Sequence, residues 1–184
     1  MDYHMISGYG ILTLVIFRVI WGLIGSTHSR FRSFVNLSEL IPHTRRLLKR
    51  DQAKIAGHNP LGALSIIAML LVLGTQATTG LFANDDIFLE GPLVHLVDDA
   101  TSDRLTTVHH FCAKALYVLI GLHLAAIIFH EIYKRERLVL PMISGYKKRL
   151  PASVDKPSFR REYVTASGLL ATCAGFVYWL VKYV

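Results

Sequence analysis

VHHFCAKALYVLIGLHLAAIIF, residues 108–129, decides the fold. Apart from Lys114 and three histidines, this run is free of ionisable side chains except a thiol and a phenol. It is long enough to cross a hydrocarbon core about 30 Å thick, which takes about 20 residues. Backbone groups there have no water to pair with, so the segment must be a helix. His109 and His123 stand fourteen residues apart. At about 100° per residue, the second imidazole returns to within about 40° of the first, about 21 Å along the axis. One helix therefore carries two imidazoles on one face, one toward each membrane surface. Imidazole is an axial ligand of haem iron. The pattern points to two stacked haems and a path for electrons across a membrane.

The rest of the chain agrees with a membrane class. Of 184 residues, 52% are hydrophobic, and the mean hydropathy is +0.40. The apolar residues fall in blocks of about twenty rather than in the scattered pattern of a soluble domain. Four spans are expected, at about 6–26, 61–83, 108–130 and 163–183. The fold class is all-α: an integral membrane helical bundle with four transmembrane helices, forming a single domain over 1–184. Cys112 and Cys173 stand alone in apolar segments. Neither belongs to a C-x-x-C-H sequence, which excludes covalent c-type haem attachment. They are expected to be small helix residues without a disulfide.

Charge sets the expected orientation. Loop 27–60 carries seven Lys/Arg and two acids, and loop 131–162 carries nine Lys/Arg and four acids. Loop 84–107 carries six acids and only Arg104. Basic loops stay cytoplasmic, so the acidic loop is expected on the periplasmic side of a bacterial inner membrane. The net charge of +7 follows this topology, which argues against nucleic acid as a partner. The N-terminus then lies outside, although few residues precede the first span and no signal peptide is present. A preceding helix, missing from this chain, is the expected explanation.

The remaining histidines each have two readings. His4 lies at the outer end of the first span, at the depth of His109. It either clamps one haem together with His109 or is a polar residue at a membrane interface. His110 is out of phase with His123 by about 140° and is the poorer ligand candidate. His123 lies deep in the inner half, where an ionisable group is costly and marks a functional site by default. His130 is nearly in phase with His123, at the membrane edge, and is its fallback. His58 and Asn59 precede Pro60 at a helix start. They either cap that helix or line a cytoplasmic-side quinone site. Arg18, fourteen residues after His4, pairs either with a haem propionate or with a neighbouring helix. Lys114 either snorkels outward or meets an outer propionate.

These residues fall within stretches that resemble the bacterial cytochrome b561 and nickel–iron hydrogenase b-type cytochrome superfamily. The stretches are His4 with Gly8-Tyr9-Gly10, then Phe17-Arg18-Val19-Ile20-Trp21-Gly22-Leu23-Ile24-Gly25 and Ser29-Arg30-Phe31. They continue with Gly57-His58-Asn59-Pro60-Leu61-Gly62, Thr79-Gly80-Leu81-Phe82 and Gly91-Pro92-Leu93. His109 to His123, Leu124-Ala125-Ala126 and Pro141-Met142-Ile143-Ser144-Gly145 complete them. The resemblance covers nearly the whole chain, and the last span is its least distinctive part. It implies a bundle holding two b haems, with ligands from the first, second and fourth helices of the family. By position, His4 is then the second-helix ligand, and His109 with His123 are the fourth-helix pair. The family's first helix, with its own histidine, has no counterpart here. One haem is thus possible in this chain where the family has two.

The expected function is a membrane b-type cytochrome. It passes electrons between the quinone pool and a periplasmic partner such as a c-type cytochrome. The alternative is the haem-bearing membrane anchor of a nickel–iron hydrogenase. Either way the chain is an electron carrier or a subunit of an oxidoreductase complex, with no nucleophile constellation of its own. A rival from another class is a haem-free membrane protein that uses its histidines for metal or protons.

Overall fold

The computed structural model describes residues 2–26, 29–34, 60–85, 89–135, 139–140 and 159–184. Four long helices dominate them: α1 (Asp2–Ile24), α3 (Pro60–Gly80), α4 (Asp99–Ile128) and α5 (Phe159–Tyr183). A short helix, α2 (Phe31–Phe34), follows α1. Four helical stretches are apolar and long enough to cross a membrane: Tyr3–Ile24, Leu61–Gly80, Asp99–Tyr133 (α4 with the turn that extends it) and Glu162–Tyr183. The chain is a multi-pass membrane protein.

α1 and α5 start about a turn earlier than expected, at Asp2 and Phe159, and two further helix limits bear on the site. The third span begins near residue 108 by hydropathy, yet α4 starts at Asp99. Its first turns are polar but still helical. The reason is tertiary: Ser102 Oγ, in a residue only 2% exposed, donates to Phe82 O at 2.8 Å. One turn on, Thr106 Oγ1 accepts from Asn84 N at 3.1 Å. The second span ends at Gly80 rather than near residue 83. There the chain turns, with Leu81 N and Phe82 N donating to Thr78 O and Thr79 O.

The helices pack in the order α5, α1, α3, α4: α1 touches both α5 and α3, and α3 touches α4 most extensively. The hydrophobic core lies toward the acidic-loop end. It joins Leu12 of α1, Leu81 and Leu93 of the loop, and Val177 of α5, flanked by Tyr9, Ile16 and Leu180. Tyr9, Leu12 and Ile16 recur at helical spacing on one face of α1. Most other large apolar side chains are exposed, among them Leu23, Leu71, Phe111, Val118, Leu122 and Trp179. A bilayer explains this, because lipid tails are as apolar as leucine and helices gain little by hiding from them.

The ends of the helices are fixed by short polar contacts. At the end of α1, Arg30 Nε donates to Gly25 O at 2.7 Å. The Phe31 ring lies so close to Gly22 that a side chain there would collide with it. In the acidic loop, Gly91 N donates to Ala83 O at 2.7 Å, and Leu93 N to Leu81 O at 2.9 Å. A side chain on Gly91 would strike the Leu81 carbonyl. At its other end α4 widens into a π-helical turn, Phe129–Tyr133, and stops at Arg135, whose φ is 54°. A left-handed residue is a common way to end a helix.

Candidate functional site

The site forms where α1, α3 and α4 meet near the acidic loop. His4 of α1 and His109 of α4 face each other edge to face, with ring centroids 6.1 Å apart. His110 also meets the His109 ring edge to face, at 6.1 Å, and is exposed. Among the described residues, no cluster of three or more His, Cys, Asp or Glu side chains could hold a bare metal ion. The donor set is a pair of imidazoles. A pair is what a macrocyclic iron needs axially, since its ring supplies the other ligands.

The third helix holds His109 in place. His109 Nδ1 lies 2.9 Å from Gln76 O, and its Nε2 lies 2.9 Å from the Gln76 Nε2 amide. A backbone carbonyl can only accept, so Nδ1 carries the proton and donates it. Nε2 is therefore the lone-pair nitrogen, and the Gln76 amide donates to it. Thr79 Oγ1 stands 3.5 Å from Nδ1 and adds little at that length. Among the described residues, Gln76 Oε1 is left buried with no hydrogen-bond partner. An orphaned acceptor of this kind costs about 1–3 kcal/mol.

Further along α4, His123 Nδ1 lies 3.4 Å from Ser65 Oγ of α3. Both candidate histidines of α4 thus meet polar groups of α3. Ser65 and Gln76 are eleven residues apart, which places them within about 20° of each other on that helix. Sequence reasoning missed Ser65, Gln76 and Gly80. The available signal was this in-phase pair, Ser65 and Gln76, in a span whose other polar side chains are the threonines Thr75, Thr78 and Thr79.

The other sequence candidates are placed as follows. Arg18 donates from Nη1 to Ser29 O at 3.2 Å and lies over the Phe31 ring, 4.8 Å from its centroid. It also borders a cavity of about 220 Å³ between α1 and α3, lined otherwise by Ile11, Leu14, Val15, Leu70 and Leu73. His130 is buried in the π-helical turn. Lys114 is exposed. Cys112 and Cys173 are buried and free, on separate helices. His58 and Asn59 lie outside the described residues.

A helical membrane bundle with facing imidazoles at one end defines the b-type cytochrome class. Comparison with known proteins narrows it: the family profile of prokaryotic cytochrome b561 matches residues 1–145. The chain belongs to that family, which implies a b-type haem. A probable Ni/Fe-hydrogenase B-type cytochrome subunit from Azotobacter vinelandii is 26% identical over 166 residues, covering 78% of this chain and 66% of the relative. A protein of the same description from Bradyrhizobium diazoefficiens is 24% identical, covering 79% and 65%. One from Rhizobium leguminosarum bv. viciae is 28% identical, covering 77% and 66%. The matched region is just under two thirds of the length of these relatives. No solved structure matches the chain. The α5 helix lies beyond the family match.

The residues present fit a b-type haem. The paired imidazoles of His4 and His109 are the right donors. Gln76 holds His109 with Nε2 as the lone-pair nitrogen. Gln76 Oε1, buried without a partner among the described residues, leaves a polar position that a bound group could complete.

Proposed function

We propose that this chain is the haem-bearing membrane subunit of a nickel–iron hydrogenase-type complex, carrying single electrons across the bacterial inner membrane. The His4–His109 pair is the observation that carries the haem reading. The names of the relatives favour the hydrogenase over the other partners. When bound, haem iron supplies one-electron exchange. His4 and His109 would hold that iron near the acidic-loop end. His123 serves as a ligand to a second haem on the opposite side. Arg18 pairs with a propionate, a role supported by its place at the edge of an apolar cavity. His58 and Asn59 line a quinone site at the cytoplasmic surface.

A second reading has one observation in its favour. Asp98, Asp99 and Asp103 are exposed together at the start of α4. Such a surface suits a basic redox partner, as many c-type cytochromes are. Electrons then pass between quinone and that soluble protein instead.

The test is haem per polypeptide, by pyridine haemochromogen assay, on the chain purified in detergent. At least one b haem is expected, lost in both His4→Ala and His109→Ala. His123→Ala should lower a stoichiometry above one. Arg18→Gln should shift a haem potential, and His58→Gln should impair quinone reduction at full haem content. A wild-type chain without haem overturns the reading. Co-purification with a hydrogenase, against reduction of a c-type cytochrome, separates the two partners.

A further inference from the structure

We infer that Gly80 is a positioning residue for the His109 ligand: its missing side chain lets the ring reach the Gln76 carbonyl. This selects Nε2 as the iron-binding nitrogen. The inference rests on the haem reading above for its consequence, although its geometry does not. A Cβ placed on Gly80 would stand 2.9 Å from His109 Cε1 and 3.2 Å from Nδ1. The 2.9 Å contact forces a shift and the 3.2 Å contact is tight, and the ring is the part able to move. It would move off the carbonyl it now meets at 2.9 Å. The Gly80 backbone lies outside the left-handed region. What matters at this position is therefore space, not conformational freedom.

The chemistry follows from which nitrogen holds the proton. An imidazole whose Nδ1–H is donated to a carbonyl presents Nε2 as a better electron donor to a metal. It is also held in one tautomer and one orientation. Without that bond, the two neutral tautomers compete, and the ring binds iron as a weaker donor. Weaker donation favours the ferrous state, so the haem potential rises. The Gln76 amide now occupies Nε2, the nitrogen that would hold the iron. The main-chain carbonyl of the same residue stays and keeps the ring aligned. One residue of α3 thus both holds the ligating nitrogen of the haem-free protein and orients the ring for the iron.

Gly74 provides the control. It lies on the same helix, and a Cβ there would meet Val15 Cγ1 at an ordinary 3.6 Å. Gly74→Ala therefore repeats the chemical change without touching His109. Two measurements on the full chain in detergent test the inference. The first is the tautomer of His109, by nitrogen-15 NMR of histidine-labelled, haem-free protein. Wild type and Gly74→Ala should both show the Nδ1–H form alone, and Gly80→Ala a mixture. The second is the haem midpoint potential, expected to move upward in Gly80→Ala and to stay at the wild-type value in Gly74→Ala. An Nε2–H tautomer or a mixture in the wild type overturns the inference, even if the variant does not fold. So does a folded Gly80→Ala with unchanged tautomer and potential. Absence of haem from the wild type would instead refute the functional reading, leaving the tautomer measurement valid.

Discussion

At His109 both ring nitrogens are engaged by a single neighbour, and the two bonds have opposite value. The bond from Nδ1 to the Gln76 carbonyl leaves nothing unsatisfied. The bond from the Gln76 amide to Nε2 strands the carboxamide oxygen in a buried position. A net hydrogen bond contributes about 1 kcal/mol, while an orphaned acceptor costs about 1–3 kcal/mol. Gln76→Leu should therefore leave the haem-free protein within about 1 kcal/mol of wild type, or more stable. Denaturant unfolding in detergent measures this, and a loss well above that size would show the amide to be a net stabiliser. His109 and His123 were legible in the sequence because one helix fixes their mutual phase. Gln76, Ser65 and Gly80 were not, because which residue of α3 meets a given ring depends on how two helices are offset. No spacing within either helix encodes that offset.

Among the elements, α4 shows what hydropathy can and cannot read. The apolar stretch marked the crossing segment well, since length and composition decide it. The polar turns before it carry no such mark. They are helical because Ser102 and Thr106 tie them to the chain leaving α3. Ser102→Ala removes a 2.8 Å bond to the Phe82 carbonyl from a residue that water barely reaches. The expected loss is about 1–2 kcal/mol, read as a lower unfolding midpoint. Full retention of stability would mean that the loop holds α4 by its backbone bonds alone. The same reasoning explains the early end of α3. Gly80 and the turn after it bring the loop back over the core, so residues counted as membrane-spanning belong instead to the lid of the bundle.

For the molecule as a whole, the sequence was most informative about the number of spans, because hydropathy acts on whole segments. The packing order was not legible, since small and apolar residues recur on several faces of each helix. The acidic loop is expected outside by the bias of basic residues toward the other loops. Asp103 is exposed in it, while the native thiols of Cys112 and Cys173 are buried. An Asp103→Cys chain should thus be labelled in intact cells by a membrane-impermeant maleimide, and the wild type should not. Labelling only after the cells are opened would invert the topology. The order α5, α1, α3, α4 also has a consequence for biosynthesis. Leu12 and Val177 share one core although they lie 165 residues apart, counted from 12 to 177. At about 5–20 residues per second, the ribosome needs roughly ten to thirty seconds to supply the second after the first. Throughout that interval α1 must keep its α5-facing side against lipid or the insertion machinery. The core that α1 begins is closed only when α5 arrives.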